Sequence, residues 1–182
     1  MQNYLWLDME MSGLDVQKCA ILEVAAIVTD FNFTPLQSYH AVVFQPPEVL
    51  AAMDAWCTET HGKSGLTAAV AKGAPLAEVE KQLVDIVDRH WSGNDRPILA
   101  GNSIGQDRKF IDAYMPTLSA RLHYRMLDVS SYKVVFNDRF GITYEKRGTH
   151  RALDDILESI GELTLYLSHV RAPQKEEPPQ TP

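Results

Sequence analysis

Positive charge is scarce in this chain of 182 residues: 17 Lys and Arg stand against 24 Asp and Glu, a formal net charge of -7. Phosphate contacts are built from Lys and Arg, so this balance argues against a protein that wraps a long polyanion. A nucleic-acid substrate would be short, or held through metal ions, with no stable complex of long nucleic acid expected. Cysteine is scarcer still. Cys19 and Cys57 lie far apart without metal-ligand spacing, so they read as buried or half-buried thiols and give no ground for a disulfide. Long apolar runs are missing too. The most apolar stretch, "AILEVAAIV", is interrupted by Glu23 and falls far short of a bilayer span, and no basic segment precedes an apolar one at the N-terminus. The expectation is a cytoplasmic protein without a membrane partner. No internal repeat is visible.

What is present is an ordinary globular composition, 45% hydrophobic and 23% charged, on a length suited to one well-filled core. We expect one domain over residues 1–170 and a disordered tail over 171–182, where "RAPQKEEPPQTP" is too polar and Pro-rich to bury surface. Strand-like segments come first, at about 3–9, 20–31 and 36–45, joined by turn-rich "MSGLDVQ" and "NFTP", and read as an antiparallel meander. Helical periodicity follows in "PPEVLAAMDAWCTETH" and "PLAEVEKQLVDIVDRHW", each opening on proline. Two more strands are expected at 97–101 and 124–129, each followed by helix-compatible sequence. A final helix is expected from near His150, with Leu153, Ile156, Leu157, Ile160, Leu163, Thr164 and Leu167 on its repeat. The fold class is therefore α/β, a mixed five-stranded sheet, first three strands antiparallel, flanked by helices.

Against this background the carboxylates of "YLWLDMEMSGLD" need a reason. Asp8 and Glu10 are two apart on a strand and project side by side. Two ionised carboxylates together, partly buried, each need a proton or a cation. Asp107 lies on the apolar stripe of "NSIGQDRKFIDAYM", in register with Ile104, Ile111 and Tyr114, while Asp112 falls on the solvated side. That helix follows a strand and a turn, which places Asp107 at the carboxyl edge of the sheet. A fourth acid comes from "GTHRALDDI", where helical geometry does not choose between Asp154 and Asp155. His150 precedes Asp155 by five residues, about 7 Å along a helix axis. Four acids with almost no cations between them fit Mg2+ or Mn2+, and two such ions can stabilise the attacking and leaving oxygens of a phosphoryl displacement.

In order, "LDMEMSGLD", "GNSIGQDRKF" and "HRALDD" resemble the three exonuclease motifs of the DEDDh superfamily, over essentially residues 3–170. The resemblance implies a ribonuclease H-like fold and assigns Asp8, Glu10, Asp107 and Asp155 as metal ligands, with His150 as general base and Asp154 as an exposed neighbour. "MDAWCTETHGKSGL" and "HYRMLDVSSYK" look specifically like the oligoribonuclease family. That likeness implies a homodimer that cleaves dinucleotides and other very short RNA from 3' to 5', releasing 5'-mononucleotides with two Mg2+ or Mn2+ ions. It further implies that Leu14 and Trp56 clamp bases and that His61 lies beside the substrate at the catalytic end. Ser103, Arg125 and Ser130 would cap the 5'-phosphate, with Tyr124 reaching in from the partner subunit. Where the family often has a basic or polar residue a turn after Ser130, this chain reads "SSYKVVFND". From periodicity alone, Trp56 would be a core tryptophan and Arg125 a surface residue, while Glu23 reads as an edge or surface residue, with a partner standing behind the site as the alternative. The rivals are an exonuclease of longer single strands in the same superfamily and a non-enzymatic sensor of linear dinucleotides.

Overall fold

A computed structural model of the protein describes residues 3–145 and 151–170. The meander is present as β1 (Tyr4–Met11), β2 (Ile21–Thr29) and β3 (Pro35–Val42), paired antiparallel in sequence. Two further strands, β4 (Ile98–Gly101) and β5 (Met126–Asp128), join parallel to β1 and to each other. The sheet order is β3-β2-β1-β4-β5, so β1, which carries Asp8 and Glu10, is central. Asp30 ends β2: its carboxylate accepts from the N–H groups of Asn32 and Thr34 and turns the chain into β3.

The two faces of β1 serve two layers. Leu5, Leu7 and Met9 pack into the larger core with Val79, Leu83 and Val87 of α4 (Leu76–His90), Phe110 and Ile111 of α5 (Gly105–Tyr114), and Leu118 of α6 (Pro116–Arg121). Trp6 points the other way, with Ala25 and Ile27 of β2, and meets Val129 of α7 (Val129–Phe140) and Ala152, Ile156 and Leu163 of α8 (Ala152–Ser168). Asp8 and Glu10 share the parity of Trp6 and therefore face α8. Gly101 lets β4 and the following turn approach β1: a Cβ there would lie 2.7 Å from the Leu7 carbonyl oxygen and 2.9 Å from Ile104 Cδ1.

Three expectations are corrected. The stretch 46–61 is not one helix but α1 (Pro47–Ala51) and α2 (Ala55–Lys63), because Asp54 restarts the chain by accepting from Cys57 N–H at 2.7 Å; α3 (Leu66–Val70) follows. The last helix begins at Ala152, with Arg151 extended, so the helical rise estimated between His150 and Asp155 does not apply. Its buried face runs through Ala152, Ile156, Ser159, Glu162, Leu163 and Tyr166, while Leu157 and Leu167 are exposed. His150 and the tail 171–182 lie outside the described residues.

Candidate active site

The centre is built where β1 runs past the end of β4. Pairing of β1 with β4 stops at Trp6 opposite Ala100, so the next inward-facing amide needs another acceptor. Asp107, in the first turn of α5, supplies it: its Oδ1 accepts from Met9 N–H at 3.0 Å, and the residue is 5% exposed. Across the sheet face, α8 brings Asp155 to the strand. Carboxylate oxygens of Asp8, Glu10 and Asp155 lie within 4.8 Å of one another, while Asp154, one residue earlier, is exposed. Geometry thus separates the two aspartates that periodicity left open. Asp107 is not in that close group; it stands near enough for its charge to act on Glu10.

Electrostatics shows the strain of this arrangement. Burial, then the charges of Asp155, Glu23 and Asp107, push the Glu10 carboxyl up to about 8. Burial likewise pushes Asp107 up to about 7, against the hydrogen bonds that favour its ionised form. An all-oxygen donor set in which Glu10 and Asp107 are disfavoured as bare anions fits a hard divalent cation, which would supply the missing positive charge. His61 adds a second sign. It is 1% exposed, its Nε2 donates to the Met11 carbonyl at 2.9 Å, and its buried Nδ1, without a hydrogen-bond partner, faces Glu10 Oε2 at 3.9 Å. His61 thus stands buried against Glu10 and not along an open surface.

Glu23 corrects the surface assignment. It sits opposite Glu10 in the β1–β2 register and is 0% exposed. Arg151 donates to it from Nε at 3.0 Å and from Nη2 at 2.6 Å, and His40 Nε2 lies 2.6 Å away. Desolvation would raise the Glu23 carboxyl, but these partners win and hold it below its ordinary value. The pair pins the segment just before α8 to the sheet, and with it the start of the helix that carries Asp155. The clue in the sequence was the run "ILEVAAIVT", apolar on both faces, which leaves no solvent side for a glutamate.

A cavity of about 430 Å³ opens from Glu10 between Leu14 and Trp56. Both side chains project into solvent, 75% and 61% exposed. Trp56 points outward because α2 buries only Cys57 and His61, which overturns the core-tryptophan expectation. Gln106 Nε2 donates to the Leu14 carbonyl at 2.7 Å and ties that loop to α5.

At the carboxyl ends of β4 and β5, Ser103 and Ser130 meet. Ser103 N–H donates to Ser130 Oγ at 2.8 Å and to Asp128 Oδ1 at 3.0 Å, and the two hydroxyl oxygens are 2.9 Å apart. Arg125 and Tyr124 do not join them. They precede β5 at its opposite end, with backbones about 10 Å (Arg125) and about 13 Å (Tyr124) from that of Asp128 at the usual strand rise. There the guanidinium lies over the Tyr124 ring at 5.3 Å and Tyr124 stacks on His123. Ser103 and Ser130 thus form one hydrogen-bonded pair, and Arg125 and Tyr124 a separate contact before β5.

Comparison with known proteins sharpens this picture. The exonuclease family model matches residues 5–163. The oligoribonuclease of Francisella tularensis subsp. tularensis is 44% identical over 168 residues, 90% of this chain and 93% of that one. That of Neisseria meningitidis serogroup B is 45% identical over 181 residues, 96% of each chain. Among solved structures, exonuclease I from Methylocaldum szegediense superposes with a TM-score of 0.73 at 15% identity, over 93% of this chain and 41% of that one. E. coli exonuclease I in complex with a dA16 oligonucleotide gives 0.66 at 13%, over 92% and 41%. This chain spans about two fifths of those longer enzymes, and at such identity they speak for the fold. Among the described residues no helix is long and apolar enough to cross a membrane.

Proposed function

The chain belongs to the exonuclease family and, within it, to the oligoribonucleases, which makes it a 3'-to-5' exonuclease; from that premise we propose that it degrades dinucleotides and other very short RNA to 5'-mononucleotides in the cytoplasm. The observation that carries the proposal is the meeting of Asp8, Glu10 and Asp155 at one end of a groove walled by Leu14 and Trp56. These three acids, with Asp107 beside them, would hold two Mg2+ or Mn2+ ions. When bound, such ions supply positive charge to the attacking and leaving oxygens of a phosphoryl displacement.

The chain's own residues do the rest. Asp107, fixed by Met9 N–H, keeps its second oxygen for the site. His150 takes the proton of the attacking water as general base. Leu14 and Trp56 grip the bases by packing and stacking. The Ser103–Ser130 pair receives the 5'-phosphate, which suits an acidic protein: a dinucleotide with two recognised ends needs no basic groove.

A second copy of the chain completes the site in this reading. β5 is an edge strand, and Tyr124, Met126, Val134, Val135 and Phe140, on or beside β5 and α7, are exposed. An open edge and exposed apolar side chains of this kind favour burial against a partner. Because Arg125 is stacked on Tyr124, both would reach the phosphate from the other subunit. The test is to strip the protein with a chelator, add Mg2+ or Mn2+, and follow a 5'-phosphorylated dinucleotide by chromatography. Two 5'-mononucleotides formed only with metal are expected; tight binding of the intact dinucleotide with no product would instead support a sensor.

A further inference from the structure

Behind the Ser103–Ser130 pair a line of hydrogen bonds runs into the protein. Ser103 is held at φ +54°, a left-handed conformation that costs energy for a residue with a side chain and persists only when its surroundings impose it. The Ser130 hydroxyl donates to Asn102 Oδ1. Asn102 Nδ2 donates to Glu162 Oε2 at 3.2 Å, and Tyr166 OH donates to Glu162 Oε1 at 2.9 Å. Glu162 and Tyr166 are fully buried on α8.

The direction of these bonds matters. A carboxylate only accepts, so Glu162 requires the amide side of Asn102 and turns its carbonyl toward Ser130. Ser130 then spends its proton inward and accepts from both the N–H and the hydroxyl of Ser103. Of the two hydroxyls, only that of Ser103 can give up its partner, Ser130 Oγ, and turn its proton outward to a ligand. Glu162 also lies seven residues after Asp155, two turns along the same face of α8 and about 10 Å away. One helix therefore holds both a carboxylate of the reaction centre and the root of the phosphate cap.

We infer that Asn102 and Glu162 are positioning residues that set the Ser103–Ser130 pair for a terminal phosphate and so govern the preference for 5'-phosphorylated ends. The inference rests on the proposed cap. It is tested by comparing kcat/KM for a dinucleotide with and without its 5'-phosphate. Asn102→Asp sets a carboxylate against Glu162, and Glu162→Gln lets the Asn102 amide turn over. Each should lower the ratio of the two efficiencies about tenfold, the worth of one hydrogen bond, mainly through KM. The double variant N102D/E162Q restores a donor at 162 and an acceptor at 102, and should recover the ratio.

Loss of the ratio in both single variants with recovery in the double is the expected result. If Ser103→Ala lowers the ratio but neither single variant does, the cap stands and the positioning role falls. Equal losses on both substrates, with a lower Tm and no recovery in the double, reduce the two residues to structural support and also overturn it. A ratio unmoved by Ser103→Ala removes the cap itself.

Discussion

Glu10→Gln should make the metal-free protein more stable and the enzyme inactive. In the folded chain the Glu10 carboxyl is pushed from 4.5 to about 8, first by burial and then by Asp155, Glu23 and Asp107. A carboxyl that holds its proton more tightly when folded contributes stability below its unfolded value. That contribution is lost as pH rises through the folded value, so the metal-free protein should weaken between pH 4.5 and about 8. Each tenfold change in proton affinity corresponds to about 1.4 kcal/mol, which puts the upper bound near about 5 kcal/mol; with solvent screening we take about 2 to 3 kcal/mol at pH 8. For a domain of this size the amide variant should melt about 5 to 10 °C higher in chelator at pH 8. The gain should vanish near pH 4.5, where both side chains are neutral, and calorimetry across the pH range reads it directly. An unchanged Tm at pH 8, or an equal gain at pH 4.5, would refute the electrostatic reasoning.

Other variants probe the remaining parts. Trp56→Ala should weaken dinucleotide binding by about 1 to 3 kcal/mol per stacked base, measured by calorimetric titration in an inactive background, with little change in Tm because the ring is exposed. Glu23→Ala leaves the partly exposed Arg151 without its carboxylate and should cost about 1 to 3 kcal/mol in denaturant melts, with turnover falling as the start of α8 loosens. For the chain with His150, kcat should rise with pH through the imidazole range, and His150→Ala should lose both the rise and most of the rate; near-normal turnover would remove that role.

Much of this site is legible in sequence because strand and helix periods place some residues unambiguously. Asp8 and Glu10 alternate on a strand, and Asp107 interrupts an apolar helical stripe, so their burial follows from local pattern. Asp155 does not follow from it. The buried face of α8 keeps Ile156 and Leu163 but also takes in Ser159 and Glu162, while Leu157 and Leu167 are exposed, so the hydrophobic stripe marks the buried face only in part and does not reach Asp155. Glu23 escapes for the opposite reason: a strand buried on both faces shows no alternation, and its partner Arg151 is 128 residues away. Arg125 shows the limit of motif spacing. It is five residues from Ser130, yet β5, only three residues long, separates them, and the parallel register with β4 decides which end each occupies.

The most direct test is a comparison of a 5'-phosphorylated dinucleotide with a long single-stranded RNA at matched concentration, with Mg2+ or Mn2+ and with Asp107→Asn as control. Metal-dependent cleavage that strongly favours the dinucleotide and is lost in Asp107→Asn, with the fold retained, is the expected result. Preference for the long RNA would contradict the short-substrate proposal, and undiminished turnover in Asp107→Asn would contradict the assigned metal site.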